Sequence, residues 1–576
     1  MPNHSKLYQY LPFLDWIRTY STDELKGDMN AGLTLGVMMI PQGMAYAVLA
    51  GLPPVYGLYA SLVPLIIYSF LGTFRQRAVG PIALVSILIA AGVGNFAEPE
   101  SERFIQLAIM TAFGVGIIQL LMGVFRMGFV VNFFSYPVLS GFTSAAALII
   151  GVSQIPNLLG IDLSRVSHVH EIMISIFQRT GEIEPLTAAI GTGSVTVIIL
   201  LLKWKRTFPS ALVVVAAGTL VTAYGGLETH GVSIIGDVPE GLPSFGISGF
   251  NLGDLQMLLP VILVISLISY MESIAIAKTI SSKRGYKIDP NQELIALGAS
   301  NLGGSFFQAF PTTGGLSRTA LSDQAGARTG LSSLISAVII ILTLLFLTPY
   351  FYYLPESVLA AIIMVAVIGM LDLREMHHLW KTDKIDLSML LITFFATLIL
   401  GIVEGIITGV VISLIAVIYS STKPHSAELG RLSAKTFRNI RRYPEADVDA
   451  DVLIFRFDSP LYFANVEHFR DTLEALIEKK GEDLRLVILD AAAINNIDST
   501  GIHMMEKLVR DLKMKRIALY ISSAIGPVRD KLKISGITAE IGEDHFFFDV
   551  SDALSYYRQG KGKYRAPAYP PIQTNI

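Results

Sequence analysis

Three stretches of this sequence stay uncharged for longer than any element of a soluble domain. Met29 to Gly72, Asn132 to Ile161 and Thr329 to Pro355 contain no Asp, Glu, Lys or Arg, and each exceeds the roughly 20 apolar residues that cross a bilayer core. A soluble surface carries about 25% charged residues. Here Asp, Glu, Lys and Arg together make 16% of 576 residues, against 52% in the AVILMFWYC set, with a mean hydropathy of +0.55. A prior of about 150 residues per soluble domain therefore does not apply. The chain reads as a polytopic α-helical membrane protein.

The remaining composition excludes other classes. A net charge of −3 gives no nucleic-acid footprint. The absence of cysteine excludes disulfides, iron–sulfur clusters and cysteine-based zinc sites. No catalytic triad, nucleotide-binding glycine loop or metal-ligand cluster is legible, so neither enzyme activity nor a cofactor is expected, and His377-His378 beside Trp380 reads as a cytoplasmic loop pair. Asp15, Arg18, Asp23, Glu24, Lys26 and Asp28 precede the first apolar run, which lacks the shape of a signal peptide.

Charge clusters divide the apolar segments into about fourteen spans, two of them short. With a cytoplasmic N-terminus, the inside loops carry Arg75/Arg77, Arg126, Lys203/Lys205/Arg206, Lys278/Lys283/Arg284/Lys287, Arg328 and Arg374/Lys381/Lys384. That matches the gathering of Lys and Arg on the cytoplasmic side. The outside stretch from Leu227 to Asp254 has four acidic residues and no Lys or Arg. An even count returns the C-terminus to the cytoplasm of a cell-membrane protein. The expected division is a cytoplasmic segment over 1–28, a transmembrane transport domain over 29–422, a linker and soluble α/β domain over 423–558, and a disordered tail over 559–576. In the third part, strand-like runs at Val452 to Phe457, Arg485 to Asp490 and Arg516 to Ile521 alternate with helical stretches at Val466 to Lys479, Ser499 to Met514 and Gly526 to Ser535.

Two short spans break helix grammar at corresponding places in the two halves. Ala78 to Ser86 has Gly80-Pro81 before a short apolar run, and Phe310 to Arg318 is an extended Pro/Gly stretch followed by a polar helix. Paired interrupted segments point to the substrate site of a transporter. A helix N-terminus offers free N–H groups and roughly half a positive charge, so two half-helices aimed at one point suit an anion. Arg318 adds a full charge there. The plainer alternative has Arg318 snorkelling at an interface. Glu272 follows seventeen uncharged residues, Leu255 to Met271, and such a carboxylate relays protons or binds Na⁺; the alternative is an ion pair with Arg318 or Lys278 that only holds helices together. In the first span, Pro41 kinks the run, Gln42 offers N–H to an oxyanion, and Tyr46 offers a ring and an O–H. A kinked helix packed on small residues would read identically.

Pro41-Gln42-Gly43-Met44-Ala45-Tyr46-Ala47 and its continuation to Gly57-Leu58-Tyr59 closely resemble the signature of the SulP sulfate-permease family of anion transporters. Gly80-Pro81, Met271-Glu272-Ser273, Ser317-Arg318 and a C-terminal domain resembling STAS domains extend the likeness over nearly the whole chain. Phe74 departs from members having Ser there. The resemblance implies fourteen spans as 7+7 inverted repeats, divided into core and gate subdomains, in a chain that is commonly a homodimer among membrane lipids. By position, it places Gln42, Tyr46, Ile82, Ala83, Gly315, Leu316, Ser317 and Arg318 along the substrate site. Gly315 stands where some members have Ser, which would leave more room for a hydrated or larger anion. Glu272 falls on an acidic position linked in some members to proton or sodium coupling. Asn495 to Gly501 resembles the loop-to-helix junction of STAS domains, where a residue at the Ser499 position can be phosphorylated and a cytosolic partner engaged; the favoured reading of the residues themselves is that Asp498 or Ser499 caps the helix that follows.

Importing one negative charge against about −100 mV costs ~2.3 kcal/mol, and a dianion costs twice that. Concentrative uptake of sulfate therefore requires at least two accompanying positive charges or exchange for another anion. The leading expectation is proton-coupled sulfate import. Sodium-coupled bicarbonate import, dicarboxylate transport, anion exchange, a channel or motor, and a membrane sensor acting through the STAS domain are the alternatives.

Overall fold

The structure is a computed structural model that describes residues 11–18, 20–133, 135–161, 169–205, 208–246, 249 and 251–560. Residues 561–576, most of the segment read above as a disordered tail, lie outside the described residues. Packing divides the chain into two compact units, Met1–Ser413 and Leu414–Ile576.

The first unit is helical. Its helices are α1 (Thr22–Ala50), α2 (Val55–Ala60) and α3 (Val63–Leu71), then after strand β1 (Val79–Gly80) α4 (Ala83–Val93), α5 (Glu102–Val124), α6 (Tyr136–Leu159), α7 (Pro185–Trp204), α8 (Ser210–Gly225), α9 (Leu252–Arg284) and α10 (Pro290–Ser305). After strand β2 (Thr313–Gly314) come α11 (Leu316–Ala325), α12 (Leu331–Phe346), α13 (Glu356–Ile368), α14 (Lys384–Leu400) and α15 (Ile402–Thr422). Among the described residues the unit also holds the short helices Phe13–Arg18, Val169–Gln178 and Leu373–Thr382, which are left out of the span count; counting α2 and α3 as one broken span gives fourteen.

Only seven candidate spans among the described residues are long and apolar enough to cross a membrane alone. Two of the rest fall short for a physical reason. Helix α4 has 11 residues and α11 has 10, and at 1.5 Å per residue each covers about half of a ~30 Å hydrocarbon core. The extended strands before them cover further distance in fewer residues, and neither short helix has to satisfy lipid because both are enclosed by other helices.

Helices α1, α3, α5, α9, α10 and α12 pack mainly with one another, and α6, α7, α13 and α14 form a second group. Small residues set the closest approaches within the first. A Cβ on Gly57 would lie 1.9 Å from the Gly43 carbonyl oxygen, so α2 touches α1 backbone to backbone. Gly32 and Gly36 seat α12 in the same way, where Ser336 donates to the Gly32 carbonyl at 2.9 Å. A capping box starts α1, with Ser21 and Glu24 each bonded to the other's backbone.

The second unit is a six-stranded sheet of order β4-β3-β5-β6-β7-β8. Its strands are β3 (Ser426–Ser433), β4 (Thr436–Asn439), β5 (Val452–Phe457), β6 (Leu486–Asp490), β7 (Ala518–Ser522) and β8 (Phe546–Phe547), with helices α16 (Val466–Lys480), α17 (Ser499–Met514), α18 (Gly526–Ile534) and α19 (Val550–Arg558). Strands β5 to β8 are parallel and β3 is antiparallel to both neighbours. Alternation along β5 places Leu453, Phe455 and Phe457 in one core and Val452 and Ile454 in the other, the period of two that a sheet covered on both faces requires.

Within the part given above as linker and soluble domain, residues 426–439 form the hairpin β3–β4 at the sheet edge. Strand β7 begins at Ala518 rather than Arg516, because Arg516 turns the chain with φ +59°.

Gly57→Ala is expected to cost about 1–3 kcal/mol by forcing α1 and α2 apart. A lowered melting temperature of the purified protein checks this.

Candidate anion site and the loop-to-helix junction

The site begins with four residues that pair where two helices are interrupted. Val79 pairs antiparallel with Gly314 and Gly80 with Thr313. The chain then passes through Pro81 and Ile82 into α4 on one side, and through Gly315 into α11 on the other. Ile82 (φ −134°, ψ 152°) and Gly315 (φ −86°, ψ 137°) are extended N-caps without a side-chain cap bond. The first N–H groups of both helices are thus unoccupied by cap side chains at the strand crossing.

Arg318 lies in the first turn of α11 and is 2% exposed, which removes the snorkelling alternative. Its Nη2 donates to the Pro81 carbonyl at 2.5 Å, bridging the two halves. Its Nη1 is buried with no hydrogen-bond partner and rests on Gly80, where an added Cβ would sit 2.8 Å away. The space beside Gly315 is not open for a larger anion. A Cβ there would meet Ile82 Cγ2 at 3.1 Å and Arg318 Nε at 3.4 Å. Ala83 is buried at the start of α4 and Ser317 is exposed; Leu316 is described by its backbone alone, as the first residue of α11.

Helix α1 contributes Gln42 and Tyr46, 9% and 8% exposed, and continues through Pro41 without a break. Helix α9 contributes Glu272. Its Oε2 is buried without a partner, and it makes no ion pair with Arg318 or Lys278 among the described residues. Tyr46, Glu272 and Arg318 nevertheless lie within electrostatic reach of one another. Beyond them, at the C-terminal ends of α1 and α4, a cavity of about 670 Å³ opens against α6 and α13, lined by Val48, Ile87, Ala90, Gln154, Asn157 and Ser357.

The sequence reading missed the groups that hold the interrupted backbone. Asn301 on α10 accepts from the Thr312 N–H at 2.7 Å and donates to the Thr312 carbonyl at 3.0 Å and to Gln119 of α5 at 3.1 Å. Gln119 in turn donates to Ser269 of α9 at 2.7 Å. The available signal was polar amides inside otherwise apolar helices.

In the second unit, Asp498 is the N-cap of α17. Its Oδ1 accepts from Gly501 N–H at 2.8 Å and its Oδ2 from Phe463 N–H at 2.9 Å. Ser499 is exposed in the first turn and takes no part in the cap. Lys531 steadies the preceding loop through Asn496 Oδ1 at 2.9 Å and the Ile497 carbonyl at 2.7 Å. At the end of β6, burial pushes the Asp490 carboxyl above its ordinary range.

Two outcomes follow from these contacts. Gly80→Ala displaces Arg318 Nη1 and is expected to weaken anion binding about tenfold or more, read by titration calorimetry. Asp498→Ala is expected to cost about 1 kcal/mol locally and to speed amide hydrogen exchange in α17, whereas Ser499→Ala leaves that exchange unchanged.

The model of the sulfate permease family matches residues 25–393, and that of the STAS domain matches residues 443–553. A relative from Arabidopsis thaliana, sulfate transporter 4.1, chloroplastic, is 38% identical over 563 residues, covering 94% of this chain and 82% of its own. The solved structure of murine Solute Carrier 26 family member A9 (Slc26a9), an anion transporter in the inward-facing state, superimposes with a TM-score of 0.89 at 26% identity, covering 97% of this chain and 95% of that one. The transmembrane domain of a cyanobacterial bicarbonate transporter, BicA, shares the fold at a TM-score of 0.58 and 20% identity, over 69% of this chain and 98% of that one. With its fourteen-span helical domain and its STAS domain, the chain belongs to the sulfate permease family, a family of transporters and not of enzymes.

Proposed function

We infer that this anion transporter imports sulfate by alternating access, coupled to protons. The observation that carries the reading is the unpartnered Arg318 Nη1 between two uncapped helix N-termini, with the unpartnered Glu272 Oε2 on a carboxylate within electrostatic reach. In this reading the dianion accepts hydrogen bonds from Arg318 and from the first N–H groups of α4 and α11. Gln42 and Tyr46 of α1, with Ile82, Ala83, Gly315, Leu316 and Ser317, line the site.

The direction of transport demands the coupling ion. A membrane potential of about −100 mV opposes a dianion by roughly 4.6 kcal/mol, so at least two positive charges must accompany each sulfate. A proton on Glu272 supplies one of them and relieves a carboxylate whose Oε2 is buried next to an incoming anion, and a second proton crosses in the same cycle. Release of the anion and both protons to the cytoplasm returns the site empty. The relatives' names support sulfate as the substrate.

The same reading takes the protein as a homodimer in the cell membrane, with both ends cytoplasmic and divided at the boundaries given above. The exposed Ser499 is a modifiable position on the STAS domain, open to a cytosolic partner.

Uptake of labelled sulfate into proteoliposomes tests the proposal. Accumulation is expected to rise with an inward proton gradient, to vanish in Arg318→Ala, and to lose its proton stimulation in Glu272→Gln. Na⁺-stimulated uptake of labelled bicarbonate without sulfate flux would overturn both substrate and coupling. Proton-stimulated sulfate uptake retained in Glu272→Gln would remove Glu272 as the carrier.

A further inference from the structure

The two arginines beside the strand crossing are disposed reciprocally. Arg318 follows β2 and rests on Gly80 of β1. Arg77 precedes β1 and rests on Gly314 of β2, where an added Cβ would lie 2.9 Å from Arg77 Nε and 3.0 Å from Cδ. Each guanidinium fills the space left by a glycine of the opposite half.

They differ in what else they hold. Arg318 keeps Nη1 free. Arg77 is 1% exposed and fully engaged: Nη1 donates to Glu293 Oε2 at 2.6 Å, and Nη2 donates to the Ser273 carbonyl at 2.5 Å. Its guanidinium also lies over the rings of Tyr68, at 5.1 Å, and Phe74, at 5.3 Å. Glu293, 0% exposed, accepts four further bonds, from Tyr68 O–H at 2.7 Å, Thr73 N–H at 2.8 Å, Thr73 O–H at 2.6 Å and Phe74 N–H at 3.0 Å. A buried ion pair holds a fixed geometry when its remaining donors and acceptors are satisfied in this way.

The fixed point is on α9. The Ser273 carbonyl belongs to the turn that carries Glu272, and one turn earlier the Ser269 carbonyl accepts from Thr313 O–H at 2.8 Å. The segment leading into β1 hangs from α9 through Arg77, and β2 hangs from it through Thr313, with Glu272 between the two attachments.

We infer that Arg77, oriented by Glu293, is a positioning residue for the anion site, setting the spacing of Glu272, Arg318 and the two helix N-termini without touching the anion. The inference rests on the reading that an anion binds at the strand crossing.

The test uses the full chain in proteoliposomes and whichever of labelled sulfate, bicarbonate or succinate the wild type carries. Arg77→Lys keeps a cation for Glu293 but cannot serve both Glu293 and the Ser273 carbonyl. Its KM is expected to rise about tenfold, the equivalent of one lost charge-assisted hydrogen bond, with kcat within about twofold and an unchanged elution profile. Glu293→Gln is expected to do the same, and the double variant to be no worse than the worse single one, because the two act through one contact. An unchanged KM in Arg77→Lys, a fall in kcat alone, or additive effects would overturn the inference. Should Arg77→Lys aggregate, Glu293→Gln decides by the same KM. A wild type that carries none of the three anions overturns the proposed function as well, whereas a wild type that carries sulfate, with KM unmoved by the variants, overturns the inference alone.

Discussion

Four residues paired across the middle of the membrane unit carry the architecture. Backbone polar groups in a bilayer interior have no water to bond, and each one left unsatisfied costs several kcal/mol. An interrupted helix is therefore tolerated only where protein supplies the missing partners. Val79-Gly80 and Thr313-Gly314 supply them to each other, and Asn301 supplies them to Thr312. Because the pairing is antiparallel, α4 and α11 leave the crossing in opposite directions while both N-termini stay at it. The glycines are dictated by this approach, since a side chain on either would strike an arginine from the other half.

Among the described residues, the other buried charges of the membrane unit all have partners. Asp28 caps the start of α12 by accepting from Arg328 N–H at 2.7 Å, Thr329 N–H at 3.0 Å and Thr329 O–H at 2.5 Å. Asp254 receives both arms of Arg103, and Asp323 receives Arg284 at 2.8 Å. The first two tie helix ends within the group formed by α1, α3, α5, α9, α10 and α12, and the third ties α11 to the end of α9. Against that background, Arg318 Nη1 and Glu272 Oε2 stand out as ionisable-group atoms left without partners. A buried charge with a spare donor or acceptor is costly in the resting protein, and a ligand or a proton is what offsets the cost.

The second unit follows soluble rules. Parallel strands β5 to β7 are apolar on both faces because helices cover both. The antiparallel hairpin β3–β4 closes one edge. The junction at Asp498 holds its geometry through a cap whose second oxygen binds the Phe463 N–H, leaving the neighbouring Ser499 free at the surface.

Much of this was legible in order along the chain. Charge-free runs, Pro/Gly interruptions at Gly80-Pro81 and Pro311 to Gly315, and the isolated Arg318 and Glu272 follow from local composition, because a bilayer penalises charge and broken backbone wherever they stand. The helix Ser499–Met514 was readable to the residue for a similar reason, since its cap and its apolar period are local. What only the tertiary structure decided is which charges pair across distance. Arg77 reads as a loop cation because it sits beside Arg75 in a gap between apolar runs, yet it is buried against Glu293, 216 residues away. The room that Gly315 promises in the sequence is filled by Ile82 and Arg318, two side chains whose positions depend on the antiparallel crossing. Sequence fixes where a helix must break; only the fold determines what arrives to occupy the break.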